Sequence, residues 1–309
     1  MTNAGFSVIG LGESLFDIFP DHQVVGGAPL NVAVHANQLA NRQGGRGVVV
    51  SRIGQDDLGQ RLLDELQKRG MATEFMQTDP DRGTGRVYVM VDTAGQPQYD
   101  IVHDVAWDWL QFDPDWEDAA RRCEAVCFGS LAQRNSQSRH TIYRFLDATS
   151  RRTTRLFDVN LRQSYHDRNV LQRSCQFANA VKLNNEELPI VADTLGIDQS
   201  DEDPEHRIHD LITRFELDLL VLTRGAEGTV IHTAHDRHEG PRVEYPAAAA
   251  ADAVGAGDAC AAAVLVGLVL RWPLDRVVEL ANHAGAFVAS QPGGTPVLPN
   301  VILDMVKRI

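Results

Sequence analysis

Lysine is scarce in this chain: Lys68, Lys182 and Lys307 are the only three among 309 residues, and arginine carries nearly all the positive charge. With 29 Lys+Arg against 42 Asp+Glu, the net charge is −13. A chain so short of positive charge lacks the basic face that nonspecific nucleic-acid or anionic-membrane binding requires, so neither is expected as a partner. Long apolar runs are missing too, and none approaches the roughly 20 residues of a membrane span. The N-terminal residues run straight into the apolar stretch Phe6 to Leu11, with no basic leader or cleavage site. The expectation is a soluble, cytoplasmic, enzyme-sized chain. The four cysteines (Cys123, Cys127, Cys175, Cys260) show no paired spacing for zinc or redox work. Cys123 and Cys127 fall at a strand start and read as buried thiols.

Several nucleotide-site patterns are absent. No Gly-x-x-x-x-Gly-Lys-[Ser/Thr] occurs, which excludes a Walker-type site, and the protein-kinase signatures are missing. Gly10-x-Gly12 follows a predicted strand as a dinucleotide fingerprint would, but the third glycine position holds Leu15. An oxidoreductase reading therefore fails at its most discriminating point.

What the chain does hold is a glycine-rich helix start near its C-terminal end. Asp252-Ala253-Val254-Gly255-Ala256-Gly257-Asp258 precedes an alanine-rich, proline-free run to about Leu270 that predicts a buried helix. Such a start leaves backbone N–H groups unpaired at the positive end of the helix dipole, which suits an anion. Two aspartates beside an anion site would repel a phosphate unless they have a task. Phosphoryl transfer supplies one, since a carboxylate accepts a hydroxyl proton while fixed N–H groups hold charge on the phosphoryl oxygens. The plainer reading is an Asp-flanked packing helix, and the pattern arises by chance in roughly one chain of this length in a few hundred.

The rest of the chain reads as alternating strands and helices. Phe6 to Gly12 predicts a buried strand, and Leu15 to Phe19 a strand with one exposed face bearing Asp17. Gly26-Gly27 opens a helix to about Asn41. Bare glycines there let a polyol approach backbone N–H groups, and Asn31 offers both a donor and an acceptor; an ordinary capped turn reads equally well. Val48 to Gly54 is a strand, Leu58 to Arg69 a helix, and Phe75 to Gln77 a short strand. Arg86 to Val91 and Gln98 to Val102 form a hairpin around Asp92-Thr93-Ala94-Gly95. From about Asp115 the alternation is regular, which argues for a doubly wound parallel sheet. Asp158-Val159-Asn160-Leu161-Arg162 closes one strand, where ligand-contacting residues collect in open α/β sheets. Arg162 reads as a ligand for substrate oxygens or phosphate, or as a surface ion pair. Asn184 and Glu187 have the spacing of a helix cap. Leu219 to Gly228 is a strand running into a tight turn, strands follow around Val230 and Val243, and Leu274 to Ser290 is an amphipathic helix. The acidic stretch Asp198 to Glu205 reads as a solvated loop.

Asp252-x-x-Gly255-Ala256-Gly257-Asp258 resembles the C-terminal signature of the ribokinase-like (PfkB) carbohydrate kinase family. Gly26-Gly27-Ala28-Pro29-Leu30-Asn31 resembles its N-terminal signature, in the expected order and more than 200 residues earlier. Further matches at Ile53 to Gly59, Asp158 to Arg162, Asn184 to Glu187 and Thr223 to Gly228 extend the resemblance over the whole chain. It implies one α/β domain over residues 1–309: a mostly parallel, doubly wound sheet flanked by helices. A small β-sheet lid from about residues 13–25 and 84–105 would cover the sugar and double as a homodimer surface.

The resemblance also assigns roles. Asp258 would be the base, with the N–H groups of Gly255, Ala256 and Gly257 stabilising the transferred phosphoryl group. Asp17, Gly26, Gly27, Asn31, Tyr99 and Arg162 would bind the sugar, with Tyr88 a further packing residue of the lid. Lys182, Asn184, Thr223, Gly225, Gly228 and Asn282 would face ATP. Glu187 would reach Mg²⁺ through water, and Asp252 a monovalent cation such as K⁺, although Ala253 replaces the family's frequent Thr. Val159 stands where fructokinase-like members often carry proline. The stretch Tyr99 to Val105 holds no Arg or Lys for an acidic sugar, so a neutral ketohexose such as fructose is expected. Ribose, nucleosides, 2-keto-3-deoxy sugar acids and a catalytically silent sugar binder remain open.

Overall fold

The computed structural model describes residues 5–91, 97–197 and 203–307. The apolar run β1 (Ser7–Leu11) is followed by β2 (Leu15–Ile18) and β3 (Gln23–Gly26). Helix α1 (Ala28–Ala40) carries Pro29 in its first turn, where a missing N–H costs little. Next come β4 (Arg46–Gly54) and α2 (Asp57–Lys68), whose cap Asp56 accepts the Gly59 N–H at 2.8 Å. The short strand β5 (Met76–Asp79) leads into the hairpin strands β6 (Gly85–Val91) and β7 (Pro97–Ile101).

Regular alternation follows with α3 (Pro114–Arg122), β8 (Ala125–Gly129), α4 (Ser136–Ala148), β9 (Thr154–Asp158), α5 (Arg168–Phe177) and β10 (Ala180–Asn184). Side chains of Asp113, Asn135 and Asp167 cap these three helices, so each start was written in the sequence. The chain continues through α6 (Glu187–Leu195), α7 (Pro204–Phe215), β11 (Leu219–Thr223), β12 (Thr229–His232) and β13 (Arg237–Glu239). It ends with α8 (Ala256–Val269), α9 (Leu274–Ala289) and α10 (Asn300–Met305).

Nine strands form the main sheet in the order β13-β12-β11-β10-β9-β8-β1-β4-β5. All neighbours are parallel except at β12 and β13, which pair antiparallel. The doubly wound, mostly parallel sheet expected from the sequence is thus present. β1 shows how it divides the core: Val8 packs with α8 and α9 on one face, while Ile9 and Leu11 pack with Trp107, Phe128 and Phe145 on the other. Helix α8 is apolar all round and is buried accordingly, between α1 and α9.

A second sheet, β3-β2-β6-β7, stands beside the first. Its register sets Asp17 against Val87 and Val89 against Tyr99, so Asp17 and Tyr99 share one face while Tyr88 and Met90 lie on the other.

No strand forms around Val243; β13 ends at Glu239 and residues 240–250 are irregular, because Pro241 and Pro246 flank that segment and withhold ladder N–H groups. The short strand near Phe75 runs from Met76 instead. The turn at Asp92 to Gly95 and the first residues of the acidic stretch, 198–202, lie outside the described residues. Among the described residues no helix is long and apolar enough to cross a membrane.

Candidate active site

From β1 the chain moves to β4 and β5, then returns to β8 and proceeds outward to β13. The strand order therefore reverses between β1 and β8, and the crevice beyond their carboxyl ends is where an open α/β sheet binds ligands. Most of the candidate residues lie around that crevice.

β1 delivers Glu13 there, 3% exposed. Gly27, with φ of +111°, starts α1 against it: a Cβ at Gly27 would sit 2.5 Å from the Glu13 carbonyl oxygen. One turn into α1, the buried Asn31 donates its side-chain N–H to Asp258 Oδ2 at 2.8 Å. Asp17 approaches from β2, with its carboxylate beside Gly26.

The start of α8 forms the opposite wall. Gly255 caps it in the left-handed region at φ +76°, packed so tightly that a Cβ would run into the Gly294 backbone. The N–H groups of Gly255, Gly257 and Asp258 have no partner among the described residues, whereas Ala256 N–H turns back to the Ala253 carbonyl at 3.4 Å. Of the expected donors Gly255, Ala256 and Gly257, Ala256 is thus engaged in the tight turn before the helix, while Asp258 N–H joins the unpaired groups. The unpaired groups stand at the positive pole of the helix.

Beneath that pole lies a buried ion pair. Lys182 Nζ donates to both Asp158 oxygens at 2.9 Å, and a Cβ at Gly257 would lie 3.3 Å from the same nitrogen. Burial alone would lower the lysine, but Asp158 outweighs it and holds Lys182 above its ordinary range, fully charged. A lysine inside the apolar strand Val181-Lys182-Leu183 demanded such a partner. Val159 N–H donates to the Lys182 carbonyl at 2.9 Å, a bond that proline could not make, and so lengthens the β9–β10 ladder.

The carboxylates around the crevice are held partly protonated near neutrality. Burial, then the charge of Asp158, pushes Asp258 up to about 6, against the opposing bond from Asn31 and the charges of Lys182 and Arg162. Burial raises Glu13 to about 7, with Asp258 adding to it. Burial raises Asp17 to about 6, Arg162 pulling it down and Asp252 pushing it up. Arg162 is itself exposed, on a loop where Asn160 and Gln163 adopt positive φ. Sequence reasoning passed over Glu13 and Asp158 as site residues. The available signals were a carboxylate directly after the central strand and the lone strand lysine.

Other candidates lie farther round. Tyr99 is half-exposed, and its backbone carbonyl accepts from Gln163 Nε2 at 2.9 Å, joining β7 to the Arg162 loop. Asn184 and Glu187 cap α6 reciprocally: Asn184 Oδ1 accepts the Glu187 N–H and Glu187 Oε2 accepts the Asn184 N–H, both at 2.9 Å. Glu187 Oε1 accepts Leu161 N–H at 2.8 Å, which ties two strand ends together. Thr223, Gly225 and Gly228 lie at the β11–β12 turn. Asn282 packs against Gly228, yet its amide is already engaged, accepting from Thr229 N–H at 2.8 Å and donating to the Pro241 carbonyl at 2.9 Å. It holds that turn together rather than presenting a free polar group. Asp252 accepts from Val254 and Gly293 N–H groups at 3.1 and 3.2 Å, fastening the loop before α8.

The pattern of the pfkB family of carbohydrate kinases matches residues 18–301, both signatures included. The chain belongs to that family. It is an ATP-dependent kinase of the class that acts on sugars and nucleosides. A fructokinase of Klebsiella pneumoniae is 30% identical over 309 aligned residues, covering 94% of this chain and 95% of that one. A sugar kinase of Pyrococcus horikoshii, solved in complex with ATP, superposes with a TM-score of 0.76 at 25% identity, covering 94% of this chain and 93% of that one. A nucleoside kinase of Burkholderia thailandensis, solved with inosine, also reaches a TM-score of 0.76, at 19% identity and covering 96% and 95% of the two chains. Chains named as sugar kinases and as nucleoside kinases thus share this fold, and the acceptor here must be argued from the site.

Proposed function

We propose that this pfkB kinase transfers the γ-phosphoryl group of ATP to a primary hydroxyl of a neutral ketohexose, fructose being the best candidate. The observation that carries the reading is Asp258 at the start of α8: a buried carboxylate raised to about 6, oriented by Asn31 and flanked by unpaired N–H groups. In this reading Asp258 takes the hydroxyl proton as the sugar oxygen bonds to the γ-phosphorus. The bond from that phosphorus to the β–γ bridging oxygen breaks, and ADP leaves with that electron pair. The N–H groups of Gly255, Gly257 and Asp258, with Lys182 behind them, hold the charge on the transferring group.

The walls support a neutral sugar. Glu13, Asp17 and Asp258 all feel the charge of Arg162, while Lys182 is committed to Asp158. An anionic sugar would raise the cost of ionising Asp17 and Asp258, whereas a polyol finds hydrogen-bond partners for its hydroxyls in all three carboxyl groups. Asp17, Gly26, Gly27, Asn31 and Tyr99 would make those contacts, and the small sheet would act as the lid that excludes water. Its other face carries the half-exposed Tyr88 and Met90, which support a homodimer through the lid.

Among the described residues no group of three His, Cys, Asp or Glu side chains could hold a metal. That fits Mg²⁺ arriving on the nucleotide. Glu187 spends one lone pair of each oxygen on backbone N–H groups, which suits contact through water, with Asn184 at its side. Mg²⁺ would neutralise phosphate charge. Asp252 similarly keeps spare lone pairs for a monovalent cation such as K⁺. Thr223, Gly225, Gly228 and Asn282 would border the nucleotide.

The test is ADP release from Mg-ATP with fructose, glucose, ribose, inosine and 2-keto-3-deoxygluconate. Preferential turnover of fructose supports the reading, and preference for the nucleoside or the sugar acid overturns the substrate assignment.

A further inference from the structure

Helix α1 presents two polar side chains one turn apart toward α8: Asn31, which holds Asp258, and His35. His35 is fully buried, and its Nε2 lies 2.9 Å from the Gly294 carbonyl oxygen. A carbonyl only accepts, so Nε2 bears the proton, and Nδ1 is left without a partner. Burial pushes His35 down to about 4, so the ring is neutral at working pH. A fully buried imidazole with one stranded nitrogen is a poor space-filler; the bond to Gly294 is what it contributes.

Gly294 sits where that bond matters. Its backbone fills the space beside Gly255, and a Cβ on it would lie 3.0 Å from Asn31 Nδ2. The segment around it backs the loop before α8 through three bonds: Ala248 N–H to Ser290 carbonyl at 2.8 Å, Asp252 N–H to Gln291 carbonyl at 3.3 Å, and Gly293 N–H to Asp252 Oδ2 at 3.2 Å. Farther out it is held by other residues: Arg69 binds the Thr295 carbonyl at 2.9 Å, and Gln38 bridges Pro296 and Leu298. Among the described residues, His35 is the side chain that bonds Gly294 itself.

We propose that His35 is a positioning residue for phosphoryl transfer: by holding the Gly294 carbonyl it fixes the plug against which Gly255 and Asn31 are set. The N–H groups of α8 and the Asp258 carboxylate keep their relative placement because both rest on that plug. The inference builds on the roles given above to Asp258 and the α8 start.

The experiment compares wild type with His35→Leu, His35→Met, His35→Gln and Gln38→Ala. It reads kcat and KM for both substrates, and amide hydrogen exchange over residues 252–260 without ligand. The donorless Leu and Met variants should lose about 10- to 100-fold in kcat with little change in KM, as misplacement by an ångström does. They should also exchange faster over 252–260. His35→Gln, which returns a side-chain N–H, should recover most of the loss, and Gln38→Ala should match wild type. Two donorless variants guard against one failing to fold. A folded donorless variant with wild-type kcat overturns the proposal, as do equally slow Leu and Gln variants. If wild type turns over none of the panel substrates, the substrate reading fails on its own. Exchange still judges His35 then, and unchanged protection over 252–260 overturns its role.

Discussion

Asn31 Nδ2 and Asp258 Oδ2 are 2.8 Å apart, a hydrogen bond between residues 227 positions distant that joins the first helix to the start of α8. The bond opposes the burial that raises Asp258, so it helps keep the base ionised near neutral pH. The base works deprotonated, so kcat/KM should fall on the acid side between about 6 and 7, where Asp258 and Glu13 take up protons. Asn31→Ala removes a bond to the charged form, and that acid limb should move up by about one pH unit. A pH–rate profile of the two proteins checks this; an unmoved limb would separate Asn31 from the base.

Glu13 gives a stability prediction with a definite sign. Its carboxyl is raised in the folded protein to about 7, so the fold binds its proton more tightly than the unfolded chain does. That contribution is complete below the ordinary glutamate range and is lost as pH rises through about 7. Wild type should therefore lose stability between pH 5.5 and pH 8. Glu13→Gln should be more stable than wild type at pH 8, by on the order of 3 kcal/mol, with a smaller gain at pH 5.5. Thermal melts at the two pH values read it directly.

The Lys182–Asp158 pair predicts strong coupling. Lys182→Met strands a buried carboxylate, which should cost about 3–5 kcal/mol, whereas adding Asp158→Asn should recover much of that loss. Denaturant midpoints of the two single variants and the double variant measure the coupling. Additive losses would mean that the pair is not held as a unit.

The sheet was legible because its cues are local. Apolar runs of strand length and the switch to helical spacing lie within a few residues of one another, and the regular alternation from about Asp115 followed from them. The two glycine signatures marked the crevice for the same reason, since Gly27 and Gly255 occupy left-handed or crowded positions that few other residues tolerate. What stayed hidden was pairing across the chain. Nothing near His35 announces Gly294, and nothing near Lys182 announces Asp158; each partner arrives only when the sheet is assembled. Nor does a sequence show the turn that engages the Ala256 N–H before the helix begins. The bonds of the Asn282 amide were hidden as well, because its partners, Thr229 and Pro241, come from a segment with no periodicity of its own.

The most direct measurement is single-turnover phosphoryl transfer by Asp258→Asn, beside wild type and at matched, verified folding. Asparagine keeps the shape and the contact with Asn31 but has no basic oxygen. The account predicts that transfer falls by about 10²–10⁴-fold while Mg-ATP and sugar still bind. Transfer within about tenfold of wild type would contradict it and remove Asp258 as the base.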